Sequence, residues 1–519
     1  QRTNGNIITG KNVPMDNTIA SCLEIGKDDD IAIAAPGRPS LTFAALRSHV
    51  AETVVQLNSR RIGRNDRVAI VLPNGPEMAS AFLTIGAGAT TAPLNPGYRE
   101  DEFEFYISDL NAKAIIVAKG SDSPAVTVAR AHKLEVLEIE WSESDPAGTF
   151  SFVGATSGTA TSGGMAKADD TALVLHTSGT TSRPKIVPLS QANVTASASH
   201  IIDILSLSAE DKCMNIMPLF HIHGLIAAVL SSVTAGSSVF CSPPFNALRV
   251  FSWFDEANPS WYTAVPTMHQ AILSRAPRNK EILDKINLRF IRSSSSSLPP
   301  PVMRELEETF GAPVAESYGM TEAAHQMASN ELPPGKRKPG SVGVAAGPEV
   351  SIMDENGKIL PQGETGEIVI RGPNVTDGYE NNPTANAENF TNGWFRTGDQ
   401  GVLDEDRFLK ITGRLKEIIN RGGEKIAPLE VDNVIQAHPA VAQTVTFSMP
   451  HPKLGEEVAA AIVLNEGAEI TDREIKNFVS EKLADFKVPR KILFLDEIPK
   501  GATGKMQRIG LAEKLGLTK

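Results

Sequence analysis

Leu173-Val174-Leu175-His176-Thr177-Ser178-Gly179-Thr180-Thr181-Ser182-Arg183-Pro184-Lys185 is the stretch whose reading decides the fold. The apolar run that begins at Ala172 reads as a buried strand, and it empties into small hydroxyl residues around one glycine, closed by a basic residue. Short side chains there let backbone N–H groups approach a polyphosphate, the hydroxyls add donors, and Lys185 supplies a compact positive charge. The G-x-x-x-x-G-K-[ST] spacing of a Walker A loop is absent. A solvated Ser/Thr loop is the plain alternative, and the chain holds its own control. Thr156-Ser157-Gly158-Thr159-Ala160-Thr161-Ser162-Gly163-Gly164 has a similar composition, yet no apolar strand precedes it and no Pro-Lys follows. That segment reads as linker.

Working outward, apolar strands without interruption, at 68–72 and 114–118, alternate with helical stretches at 42–57, 76–86 and 99–110. Such strands belong to parallel sheets covered on both faces. Beyond the cradle come a helix at 190–205, a strand at 212–217, an apolar helix at 224–233, a strand at 238–241, a helix at 247–257 and a strand at 288–292 that runs into five serines. From Ser341 short alternating strands with turn signals read as a small antiparallel barrel or sheet. A second change of texture falls at Gly413-Arg414-Leu415-Lys416, with about a hundred residues of mixed pattern after it, enough for a small domain. The expected fold is α/β. A large N-terminal domain covers 1–412, with αβ subdomains of parallel type at about 1–170 and 171–340 and a β subdomain at about 341–412; a small α+β domain covers 413–519.

Length and composition agree. At 519 residues the chain is too long for one core. Its 41% hydrophobic and 21% charged residues are ordinary for a globular protein. A net charge of −11 argues against nucleic acid as partner. Cys22, Cys213 and Cys241 are odd in number and widely spaced, so neither a disulfide framework nor a C-x-x-C metal site is indicated. No apolar run approaches the roughly 18 residues of a membrane span, and a basic-then-apolar leader is missing. The reading is a cytoplasmic protein, or a peroxisomal one if a C-terminal signal has been trimmed, since Gln1 and Lys519 read as trimmed ends.

The segment 177–185 resembles the phosphate loop of the adenylate-forming superfamily, which includes acyl-CoA synthetases, luciferases and peptide-synthetase adenylation domains; Ser182 and Ile186 stand where that family usually has glycine. Other motifs of the family occur in its order from about Thr42 to Arg508. The resemblance implies that Thr177, Ser178, Gly179, Thr180, Thr181 and Lys185 hold the phosphates of ATP. In Glu316-Ser317-Tyr318-Gly319-Met320-Thr321-Glu322 it places Tyr318 on adenine, Thr321 on the α-phosphate and Glu322 on Mg²⁺. A carboxylate plus phosphate oxygens is how a magnesium–nucleotide complex is ordinarily held. Trp394-Phe395-Arg396-Thr397-Gly398-Asp399 resembles the ribose motif, and a carboxylate suits a vicinal diol because it offers two acceptor oxygens. Arg414 and Lys416 match the hinge, Lys416 being the pivot of a mobile C-terminal domain. Gly422 and Gly423 match a loop beside the pantetheine path of coenzyme A. Lys505, in Pro499-Lys500-Gly501-Ala502-Thr503-Gly504-Lys505, would bridge the substrate carboxylate and the α-phosphate.

The implied chemistry joins two anions, so metal, Lys505 and loop donors serve to neutralise charge and fix geometry. No enzyme nucleophile is needed, and a rival Ser/His hydrolase reading lacks a G-x-S-x-G elbow. His221, in Met217-Pro218-Leu219-Phe220-His221-Ile222-His223-Gly224-Leu225, is the expected acyl-pocket histidine; a satisfied core histidine and an H-x-H zinc pair are the alternatives. Arg289-Phe290-Ile291-Arg292-Ser293-Ser294-Ser295-Ser296-Ser297-Leu298 is unusually hydroxylic. With Thr321-Glu322-Ala323-Ala324-His325-Gln326-Met327 it looks most like the oxalyl-CoA synthetase branch. A second buried carboxylate costs several kcal/mol unless paired or multiply hydrogen-bonded. The expected substrate is therefore a small polar acid, oxalate first, with Arg292, Ser293, Ser295 and His325 as contacts. The serines lining the adenine side through their backbone is the other reading. Competing functions are a domain loading a carrier-protein phosphopantetheine, a 4-coumarate or medium-chain acyl-CoA ligase, and a non-catalytic nucleotide-binding regulator.

Overall fold

The computed structural model describes residues 16–177, 183–500 and 506–518, and every count below is of those residues. Four sheets carry the chain. In a seven-stranded sheet, Glu135–Glu140, Ala114–Ala118, Arg67–Val71, Thr90–Pro93 and Thr171–His176 lie parallel, with Ser151–Phe152 and Ile186–Ser190 antiparallel at its edges. In a nine-stranded sheet the parallel run is Ile31–Ala34, Ser238–Cys241, Lys212–Asn215, Trp261–Ala264, Phe290–Ser293 and Val314–Met320. Leu41–Thr42 closes one edge antiparallel, and His325–Ser329 with Val344–Ala345 close the other. Strands such as Thr90–Pro93 and Trp261–Ala264 are buried at every position, which is why their sequences are continuously apolar or small.

The two sheets interleave along the chain. Ile31–Ala34 joins the nine-stranded sheet and Thr171–His176 the seven-stranded one, so a division at about residue 170 does not follow the sheets. Parallel neighbours are reached by crossovers, and a crossover can carry a strand to a distant sheet edge. The helix expected at 224–233 also differs. His223–Leu230 is a π-helix that passes into an α-helical turn at Ser231–Thr234. Gly224 permits that entry, because a Cβ there would stand 2.8 Å from the Pro218 carbonyl oxygen. Such widened turns concentrate at functional sites.

The segment after Ser341 is a five-stranded antiparallel sheet in which Glu349–Met353, Gly366–Arg371 and Trp394–Leu403 are successive neighbours. The smaller C-terminal unit is a five-stranded sheet whose long hairpin pairs Val441–His451 with Gly455–Leu464, packed by helices Pro428–Gln436 and Asp472–Ser480. Gln270 Nε2 donates across to the Ala442 carbonyl at 3.1 Å. Among the described residues no helix is long and apolar enough to cross a membrane.

Candidate active site

One hairpin carries most of the expected site. The strand Val314–Met320 delivers Tyr318, a 3₁₀ turn at Thr321–Ala323 delivers Thr321 and Glu322, and the return strand starts at His325. The turn is held in an uncommon shape. Ala324 and His325 have φ of 47° and 89°, left-handed values unfavourable to residues with a Cβ. Gly319 makes the close return possible, because a Cβ on it would lie 2.0 Å from the His325 carbonyl oxygen. Buried Asn374 clamps the turn, its Nδ2 donating to the carbonyls of Ala323 at 2.7 Å and Gln326 at 2.8 Å. Backbone held this way at a site is a reservoir of pre-organisation.

At the expected nucleotide end, the Tyr318 hydroxyl donates to Asp399 Oδ2 at 2.5 Å, and Arg414 Nε stands 3.4 Å from Asp399 Oδ1. Register pairing on adjacent strands brings Asp399 and Arg414 opposite each other. Burial, followed by the Asp399 charge, pushes the Tyr318 phenol well above its usual range, so it stays a donor. Toward the cradle, Thr177 closes the mouth of the loop: its N–H donates to the Lys185 carbonyl at 2.9 Å and its Oγ1 accepts the Lys185 N–H at 3.0 Å. Lys185 Nζ lies 4.7 Å above the Tyr379 ring, and the Tyr379 hydroxyl donates to Glu322 Oε1 at 2.8 Å. Burial raises the Glu322 carboxyl above its usual range, opposed by Tyr379 and by the positive charges of Lys185 and Arg414. Ser178, Gly179, Thr180 and Thr181 lie outside the described residues, as does Lys505.

The expected acid end is a buried polar cluster centred on Arg292, which is fully enclosed on Phe290–Ser293. Its Nη2 donates to His325 Nε2 at 2.9 Å and to Gln326 Oε1 at 2.9 Å. Its Nη1 reaches Thr263 Oγ1 at 3.3 Å and His223 Nε2 at 3.4 Å. The rings of His223 and His325 stack 4.9 Å apart. His223 Nδ1 is 3.0 Å from Ser295 Oγ, and Ser295 is itself left-handed at φ 72°. Ser293 is enclosed beside Arg292, while His221 is half-buried with its ring 4.5 Å from that of Phe220. Thr263 belongs to the site, on the strand that sequence reasoning had set beside the acid, and so do His223, Gln326, Asn374 and Tyr379, which it did not single out. The H-x-H spacing was the available signal for His223. For Asn374 and Tyr379, which reach the hairpin from the five-stranded sheet side, no local signal existed.

At the expected hinge, Lys416 is exposed in a 3₁₀ turn at Leu415–Glu417. Gly422 and Gly423, at φ 58° and 101°, form the two-residue turn of the hairpin that pairs Arg421 with Glu424. That geometry alone accounts for two glycines. Arg508 ties the tail down: it pairs with Asp432 of helix Pro428–Gln436, and its Nη1 lies 3.7 Å from Glu417 Oε2. A bridge between Lys500 and Met506 lies just before it.

Comparison with known proteins places this geometry. Residues 25–380 match the family described as AMP-binding enzyme, and residues 430–505 match the AMP-binding enzyme C-terminal domain. An oxalate–CoA ligase of Arabidopsis thaliana is 46% identical over 82% of this chain and 83% of that protein. An oxalate–CoA ligase of Saccharomyces cerevisiae is 44% identical over 81% of each. The crystal structure of ATP-bound MatB from Rhodopseudomonas palustris superposes with a TM-score of 0.86 at 30% identity, covering 96% of this chain and 99% of that one.

Proposed function

Because the chain belongs to the AMP-binding enzyme family, we propose that it is an acid–thiol ligase that activates oxalate with ATP and passes the acyl group to coenzyme A. A carboxylate oxygen of the acid attacks the α-phosphorus, pyrophosphate leaves, and the thiol sulfur then displaces AMP from the acyl adenylate. The observation that carries the choice of acid is Arg292: a fully buried cation whose partners among the described residues are neutral, so the pocket keeps a net positive charge for a second carboxylate. Its relatives that are named oxalate–CoA ligases support the same reading.

In this reading Thr177, Lys185 and residues 178–181 hold the phosphates, Tyr318 faces adenine, Asp399 takes the ribose hydroxyls with Arg414 beside it, and Thr321 contacts the α-phosphate. His325, Ser293 and Ser295 face the acid, with His221 at the pocket wall. Lys505 arrives by rotation of the C-terminal domain about Lys416, and Gly422 and Gly423 pass the thiol arm. No group of three or more His, Cys, Asp or Glu side chains converges as a metal cage among the described residues. The lone carboxylate of Glu322 fits a Mg²⁺ that phosphate oxygens would otherwise hold, and the ion would neutralise phosphate charge.

Pyrophosphate release over a panel of acids, followed by mass identification of the thioester, tests the assignment. Oxalate should lead octanoate and coumarate, with free coenzyme A as acceptor. Octanoate or coumarate far ahead would overturn the acid, and acceptance only by a phosphopantetheinyl protein would overturn the acceptor.

A further inference from the structure

The segment 374–380, between the strand Gly366–Arg371 and the helix Pro383–Asn389, is bonded to both walls of the nucleotide end. On the hairpin side, Asn374 holds the carbonyls of Ala323 and Gln326, and the Thr376 N–H donates to the Glu322 carbonyl at 2.8 Å. On the cradle side, the Thr376 hydroxyl donates to the Pro188 carbonyl at 2.8 Å and the Glu380 N–H to the Ile186 carbonyl at 3.1 Å. The strand that follows Lys185 is therefore gripped at two points. Glu380 then pairs with Arg67 of the strand Arg67–Val71, its Oε1 accepting from Nη1 at 3.0 Å.

Tyr379 stands between the two walls. Its backbone is fixed twice by one side chain: the Tyr379 N–H donates to Asn386 Oδ1 at 2.8 Å, and Asn386 Nδ2 donates to the Tyr379 carbonyl at 2.9 Å. Gly378 permits that approach, at φ 146° and with the place of a Cβ only 3.0 Å from Asn386 Oδ1. The ring is buried, edge-on to Phe395 with centroids 6.3 Å apart. From this fixed base the hydroxyl donates to Glu322 Oε1 at 2.8 Å, while the ring face carries Lys185 Nζ at 4.7 Å. Anion and cation thus meet the same side chain at different atoms, and the ring is the spacer between them. A magnesium–polyphosphate complex needs both charges at once, the carboxylate for the ion and the ammonium for phosphate oxygens. A carboxylate has about four lone-pair sites, so one taken by the tyrosine fixes its orientation and leaves capacity for an ion.

We propose that Tyr379 is a positioning residue that holds Glu322 for the metal and Lys185 for the polyphosphate at a set spacing, with the segment 374–380 as the strap that keeps cradle and turn in register. The inference rests on the nucleotide reading above and adds to it a residue that acts through Glu322 and Lys185.

The test is ATP binding to the full chain by titration calorimetry, without acid or coenzyme A so that nothing turns over, run once with Mg²⁺ and once with EDTA. Wild type should bind the magnesium complex more tightly than metal-free ATP. A wild type that binds ATP but is indifferent to the metal overturns the inference alone, and one that binds neither form overturns the nucleotide reading as well. Tyr379→Phe keeps the ring and loses the hydroxyl. It should weaken the magnesium complex by about five- to fiftyfold and leave metal-free ATP within about twofold. Tyr379→Leu loses ring and hydroxyl together, and should weaken metal-free ATP too, by about two- to tenfold. Equal weakening of both forms in Tyr379→Phe, which a loss of packing predicts, overturns the inference, and so does an unchanged affinity for the magnesium complex. Metal-free ATP untouched by Tyr379→Leu overturns the part that concerns Lys185. Should Tyr379→Phe fail to fold, as read by circular dichroism, Asn386→Ala decides, because it releases the Tyr379 backbone and leaves the side chain in place. Greater weakening of the magnesium complex than of metal-free ATP supports the inference there, and an unchanged ratio overturns it.

Discussion

Arg414 and Arg292 stand at opposite ends of the site and are treated in opposite ways. Arg414 is an exposed side chain set against the carboxylate of Asp399, with Glu417 in its field. Arg292 is enclosed, and its partners among the described residues are imidazoles, a hydroxyl and an amide. The first arrangement is balanced in charge and suits the neutral sugar hydroxyls of a nucleotide. The second is deliberately unbalanced. An unpaired buried cation costs several kcal/mol, which makes sense where a substrate brings the missing anion.

That contrast can be broken most sharply by Asp399→Ala. Removing both acceptor oxygens should raise KM for ATP by about a hundredfold, the worth of a pair of charge-assisted hydrogen bonds. KM for oxalate at saturating ATP should hardly move. A parallel rise in both would show that the two ends are not separate. Gly319→Ala probes the hairpin that joins them: a Cβ facing the His325 carbonyl oxygen at 2.0 Å must displace the return strand. The expected cost is about 1–3 kcal/mol in denaturant unfolding, with the acid end weakened more than the nucleotide end. Arg414→Gln should be mild. An exposed pair is worth about 0.2–1 kcal/mol, so KM for ATP should rise by about two- to fivefold.

The smallest effect sharpens the claim that the acid end holds no formal negative charge. The Glu316 carboxyl is raised by burial from its usual 4.5 to about 8. Between those values the unfolded chain has released its proton and the folded chain has not, so this group's contribution to stability is present at acid pH and lost as pH rises. Glu316→Gln removes that slope. Its melting temperature relative to wild type should therefore climb between pH 5 and 8, by about 1–3 °C. A flat difference would mean that Glu316 is ionised in the folded chain and already balances Arg292.

The alternation of apolar strands and helices was legible because fully covered strands leave no polar face in their sequence. The antiparallel texture after Ser341 was legible for the converse reason: strands covered on one face alternate apolar with polar residues. Membership of the sheets was not, since a crossover does not announce which edge it reaches; Ile31–Ala34 and Thr171–His176 each lie in the sheet of the other half. The site divides similarly. Tyr318, Asp399, Glu322 and Lys185 lie within short motifs and could be named in advance. His223 was passed over in favour of His221 because only the packing against Arg292 distinguishes them. The turn at Ala324 and His325 has no glycine or asparagine to betray its left-handed backbone; Asn374, fifty residues away, enforces it.

Arg508 grips two carboxylates at once, Asp432 on the helix Pro428–Gln436 and Glu417 beside Lys416. With Lys416 as the pivot, a push on the tail would be felt there. Loosening that grip with Arg508→Gln would let tail and pivot drift out of step, so the two half-reactions would lose their timing while each remained intact in isolation.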